Sequence, residues 1–227
     1  MSDEARAPES RGPELRSASG ETPSGPFALP AAQWQALRDA YAAPPRAYHH
    51  FGHVRDVLAH YRSVADGPGW HRPNEVWCAT LYHDAVYVPG RGDNEAASAR
   101  LAETHFAQWP PAIDLDVVRA TTLILATARH GGWRRADFAD DADGEDMRRF
   151  LDCDMAILGA PEDVFSAYDR AIAEEYRAVP RWLYRRKRRA FFRALLATER
   201  IFLSDFFRDR LEAAARRNLE AAVAGRH

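Results

Sequence analysis

The chain has 227 residues, 46% of them hydrophobic, and its 31 basic side chains nearly balance 33 acidic ones for a net charge of -2. That size supports one sizeable core, and the mixed charge excludes a global attraction to nucleic acid or to an anionic membrane. Two cysteines, Cys78 and Cys153, exclude a disulfide framework. No apolar run approaches the roughly 20 residues that cross a bilayer, and no signal-peptide core opens the chain, so a reducing cytoplasm is expected.

Residues 1 to 28 are rich in Ser, Gly, Pro, Glu and Arg, with almost no large apolar side chain before Phe27. Burial cannot offset the entropy of ordering such a stretch, which predicts a disordered tail followed by one domain over 29–227. From Gln33, the three- and four-residue spacing of Trp34, Leu37 and Tyr41 predicts a helix that Pro44-Pro45 stops. A second helix is expected from His50, with Val54, Val57, Leu58 and Tyr61 on one face and Gly67-Pro68-Gly69 at its end. A third, capped by Asn74, runs through Val76, Trp77, Leu81, Ala85 and Val86, and so carries His83 and Asp84 within it.

Asp93 or Asn94 caps a fourth helix through Ala97, Leu101 and Phe106, ended by Pro110-Pro111. Asp114 caps a fifth over Val117 to Ala128. The acidic stretch from Gly131 to Asp146 reads as a solvated loop; it lacks the ordered alternation of a calcium loop. A sixth helix, Met147 to Leu158, contains Asp152 and Asp154 and is stopped by Gly159. A seventh follows Pro161 with Val164, Phe165, Tyr168, Ile172 and Tyr176 at helical spacing. Two more are expected, one through Phe191, Phe192, Leu195 and Leu196, the other capped by Ser204 and running past Leu211 and Leu219. No alternating strand pattern or internal repeat occurs, so the expected fold is all-α.

Four side chains point to metal chemistry: His53, the doublet His83-Asp84, and Asp154. Imidazole and carboxylate together suit a divalent transition metal, and a charged Asp84 in an apolar helix needs compensation. Each has a rival. His49 sits four residues before His53, and either can face the cation while the other orients it. Asp152 and Asp154 lie two apart on different helix faces, so one can be a surface charge. His130 ends the fifth helix, as a capping histidine or as a ligand to a second metal.

These segments resemble the HD superfamily of metal-dependent phosphohydrolases, whose pattern is one His, then a His-Asp doublet, then a distant Asp. More narrowly, Tyr48 to His53, Tyr82 to Tyr87, Asp93 to Glu95 and Leu151 to Gly159 resemble a small bacterial branch of it. The likeness runs from about residue 33 to the C-terminus. It implies an HD-type helical bundle with His53, His83, Asp84 and Asp154 holding one divalent metal (Mn, Fe, Co, Ni or Zn), and a metal-activated water attacking a phosphate ester or anhydride. It favours His53 over His49 and Asp154 over Asp152 as ligands.

Glu95 is the candidate for proton transfer, although Asp93, Asn94 and Glu95 also read as a helix start. Arg188 matches an arginine of the branch and would grip substrate phosphate; the branch carries Gly before it, where this chain has Lys187. The rest of the run Arg185 to Arg189 reads as a solvated helical face rather than a nucleic-acid surface, with Arg177 a weaker phosphate ligand. The expected partner is a small phosphorylated molecule, a nucleotide foremost, with no membrane partner and a monomer or homodimer as the assembly. Two other classes share the scaffold: a non-hydrolytic metal and nucleotide sensor, and a di-iron oxygenase that would need His49 or His130 as further ligands.

Overall fold

The computed structural model describes residues 24–42 and 46–225. Among these residues the chain is all-helical, without a strand: α1 (Ala31–Ala42), α2 (Phe51–Ala65), α3 (Pro73–Tyr82), α4 (Asn94–Gln108), α5 (Val117–Ala126), α6 (Ala142–Met155), α7 (Glu162–Glu175), α8 (Arg181–Leu196) and α9 (Asp205–Ala224). Short 3-10 turns follow α5 (Thr127–Arg129) and α6 (Ala156–Gly159). No helix is long and apolar enough to cross a membrane. Of the segment expected to be a tail, residues 1–23 lie outside the described residues, as does the predicted Pro44-Pro45 stop; Phe27 packs edge-on to the buried Trp77, at 4.9 Å between ring centroids.

Two apolar clusters form the interior. One joins Trp34, Leu37, Val54, Leu58, Trp77, Leu81, Leu123 and Phe150; the other joins Val57, Val64, Cys153, Phe165, Phe192, Phe202, Phe207 and Leu219. Helices α2 and α6 feed both, because residues three or four apart lie on one helix face while their neighbours face elsewhere. His53 on α2 and Asp152 on α6 are among the polar side chains these helices bury.

Most starts and stops follow the local signals. His50 caps α2 by accepting from the Gly52 amide, and Ser204 caps α9 by accepting from the Phe207 amide. Three boundaries depart from expectation. Helix α3 starts at Pro73 after Arg72 and ends at Tyr82, so the doublet follows the helix instead of lying within it. His83 is the C-cap of that helix, and Arg46 holds the turn beyond it, donating to the carbonyls of Asp84 at 2.8 Å and Ala85 at 2.9 Å.

The cap of α5 is Asp116, which accepts from the Arg119 amide, and not Asp114. Helix α6 starts at Ala142, capped by Asp141, so the acidic stretch is only partly loop. Asp146 is fully buried and accepts from the amides of His71 and Arg72 at 3.1 and 2.7 Å, a long-range partnership invisible to composition. Arg148, also fully buried, donates to the carbonyls of Phe138 and Ala139 and to Glu145, tying the preceding loop to α6.

Candidate metal centre

Helix α2 presents His53, the turn after α3 presents His83 and Asp84, and the last turn of α6 presents Asp154. His53 Nε2 lies 3.1 Å from His83 Nε2, 3.4 Å from Asp84 Oδ2 and 2.9 Å from Asp154 Oδ1. His83 Nε2 lies 3.2 Å from Asp84 Oδ2 and 3.6 Å from Asp154 Oδ1. Donor atoms about 2.1 Å from one cation stand about 3.0 Å apart in octahedral and about 3.4 Å apart in tetrahedral coordination, the spread found here. His53, His83 and Asp84 form a group able to hold a metal ion, and Asp154 closes upon it.

The donor chemistry also fits. His83 Nδ1 is 2.9 Å from the Thr80 carbonyl, which can only accept, so Nδ1 carries the proton and Nε2 presents its lone pair to the cluster. His53 lacks such a brace: its Nδ1 is buried without a hydrogen-bond partner, and the Tyr48 ring lies against its ring at 4.7 Å.

Without a metal, protons take over the charge balance. Burial opposes a charged imidazole, yet the Asp154 and Asp84 carboxylates outweigh it and raise the His53 pKa to about 9; His83 is raised by the same carboxylates. Burial would likewise raise both carboxyls, but the histidines beside them hold Asp84 and Asp154 well below the usual carboxylate range. Two carboxylates beside two imidazole nitrogens make a site for positive charge.

Of the cluster, Asp154 lines a neighbouring cavity of about 900 Å³, together with His49, His130 and Arg188. Its walls are rich in aromatic and aliphatic side chains, among them Tyr48, Tyr87, Tyr168, Tyr176, Ile172 and Phe191.

His49 precedes α2 and is not among the grouped donors. Its Nδ1 donates to Glu175 Oε2 at 2.6 Å, and its ring stacks on Tyr87 at 3.9 Å. Glu175, whose carboxylate also accepts from the amides of Tyr48 and His49, was not singled out in the sequence; it lies 126 residues from His49, and only its helical spacing on a half-buried helix marks it. His130 closes the turn after α5 and does reach the centre: its Nδ1 is 3.1 Å from Asp154 Oδ2, so Asp154 serves the His53-His83 pair with one oxygen and His130 with the other. Burial pushes the His130 pKa below the usual imidazole range despite that carboxylate.

Asp152 is neither a surface charge nor a partner of the centre. It is buried and turned to the start of α9, accepting from the amides of Leu203 and Ser204 and the Ser204 hydroxyl at 2.8, 2.7 and 2.6 Å; burial raises its pKa to about 7. Glu95 lies in the first turn of α4, where its carboxylate acts on His130 through space, and it does not line the cavity. Arg188 lines the cavity, with Nε bonded to Asp169 Oδ1 at 2.9 Å, its guanidinium over the Phe192 ring, and Nη2 buried without a partner. Arg177 pairs with Glu174 on the surface, away from the cavity.

No family model, curated protein or solved structure matches the chain.

Proposed function

We propose that the chain is an HD-type metal-dependent phosphohydrolase acting on a phosphate ester or anhydride of a nucleotide or other small phosphorylated metabolite. The observation that carries this reading is the grouping of His53, His83 and Asp84 as donors able to hold a metal ion, with Asp154 2.9 Å from His53 and opening on a large cavity. A cavity near 900 Å³ suits a ligand of nucleotide size. A divalent cation held by these four side chains would supply Lewis-acid polarisation of a phosphoryl oxygen and a lowered water pKa.

The chain's own groups do the rest. Arg188, its Nε anchored on Asp169, offers its remaining fork to substrate phosphate. The aromatic walls enclose the remainder of the substrate and exclude bulk water. His49, oriented by Glu175, stands where a proton can pass to the leaving oxygen, a better-placed group than Glu95.

Purified protein assayed for released phosphate on a panel of nucleotides and phosphate monoesters, with Mn²⁺, Co²⁺ or Ni²⁺ added, should hydrolyse at least one. Asp84→Ala should lower kcat/KM by more than about a hundredfold, since even outer partners of metal ligands are worth 10–100-fold. Full activity in Asp84→Ala would overturn the mechanism, and tight nucleotide binding without turnover would make the protein a sensor. The split carboxylate of Asp154 favours one further reading, a second cation beside His130; metal analysis giving two ions per chain would select it.

A further inference from the structure

Arg188 and Tyr184 stand in the wall between the metal cavity and a second cleft of about 620 Å³, bounded by α7, α8 and the end of α9. Six arginines line that second cleft, Arg170 and Arg177 from the α7 side and Arg181, Arg185, Arg188 and Arg189 from α8, against two acidic side chains, Asp169 and Glu174. Both acids are already engaged, Asp169 by Arg188 and Glu174 by Arg177. Arg170, Arg181, Arg185 and Arg189 have no carboxylate partner among the described residues.

The local design runs against stability. Arg181, Arg185, Arg188 and Arg189 stand at helical spacings of three and four, which aligns like charges on one face of α8. Arg181 also opens the helix, at the positive end of its dipole, with no acid in the first turn and no side-chain cap on the amides there. A concave surface that repels itself, with four arginines lacking a carboxylate partner among the described residues, is matched by an anion with several closely spaced charges.

We infer that this cleft is a second anion site, separate from the metal centre, that takes a molecule carrying at least two adjacent phosphate groups. Planar guanidinium forks on two helices suit an oligophosphate better than a lone phosphate, because neighbouring phosphates can be gripped from both sides. The inference does not depend on hydrolysis at the metal centre.

The test is calorimetric titration of the full chain with inorganic tripolyphosphate in EDTA-containing buffer, which removes any contribution from bound metal. Saturable one-to-one binding is expected, weakened at least about tenfold in the double variant Arg181→Gln/Arg185→Gln, whose exposed side chains can change without unfolding the chain, and unchanged in Asp84→Ala. AMP, with one phosphate, should bind at least about tenfold more weakly than tripolyphosphate. Circular dichroism of the double variant, matching the parent, shows that loss of binding is not loss of fold. Four results would overturn the inference: no binding of tripolyphosphate; binding indifferent to the two arginines; binding abolished by Asp84→Ala; or AMP binding as tightly. Arginine-dependent binding of a short single-stranded RNA that tripolyphosphate fails to displace would also overturn it, making the cleft part of a nucleic-acid surface.

Discussion

Single carboxylates in this protein are defined by what they accept from. Glu175 takes hydrogen bonds from the Tyr48 and His49 amides and the His49 ring. Burial raises its pKa, but these donors outweigh that and hold it below the usual value. A carboxylate with a depressed folded-state pKa stabilises the fold above its unfolded pKa, and that contribution is lost as pH falls through the folded value. Glu175→Gln should therefore be less stable than the parent near neutrality by about 1–3 kcal/mol, with the gap narrowing below about pH 4 in urea unfolding series. Because His49 would also lose the partner that fixes its tautomer, kcat should fall more than KM rises. Asp152→Ala should behave differently: three donors at the start of α9 lose their acceptor, so stability drops by about 2–4 kcal/mol. Metal content per folded chain should stay at the parent's value; its loss would return Asp152 to the metal centre.

Between elements, Arg46 is the tie that positions the doublet. It donates to the His49 carbonyl before α2 and to the Asp84 and Ala85 carbonyls after α3, so one guanidinium joins the two segments that carry His53 and the His83-Asp84 doublet. Lysine has no planar fork to span three acceptors. Arg46→Lys should weaken Co²⁺ affinity by about 10–100-fold, as loss of a ligand's outer support does, measured by competition with a chromogenic chelator. This tie explains what the sequence shows and what it hides. Helix spacing, proline and glycine stops, and serine and aspartate caps mark the nine helices found among the described residues, because those forces act over three or four residues. His53, His83, Asp84 and Asp154 stand out as residue types that a core would not otherwise choose. The turn after α3, the burial of Asp146 and the Glu175-His49 pair depend on partners tens of residues away: Arg46 for the first, the His71 and Arg72 amides for the second, the segment before α2 for the third. No local pattern carries such information. The resemblance likewise points to Glu95, whereas the cavity opens on His49 and His130.

For the whole molecule, the proposed ligands come from α2, the turn after α3 and α6, so an ion held there would make its binding part of folding. A cation that binds only the folded chain adds about 2.7 kcal/mol at a hundredfold excess over Kd, which for a chain of this size raises Tm by about 5–10 °C. Scanning calorimetry with Co²⁺ or Mn²⁺ against EDTA should show that rise in the parent and none in Asp84→Ala; an equal rise in both would place the ion elsewhere. The two apolar clusters give this a further consequence. Since α2 and α6 pack into both clusters, a methyl group lost from Val57 on one side should be felt by the helix that seats Val54 on the other. His53 rides on that helix as on a fulcrum, so paired substitutions across the divide should prove non-additive, and drift in either core would be policed through the geometry of the histidine between them.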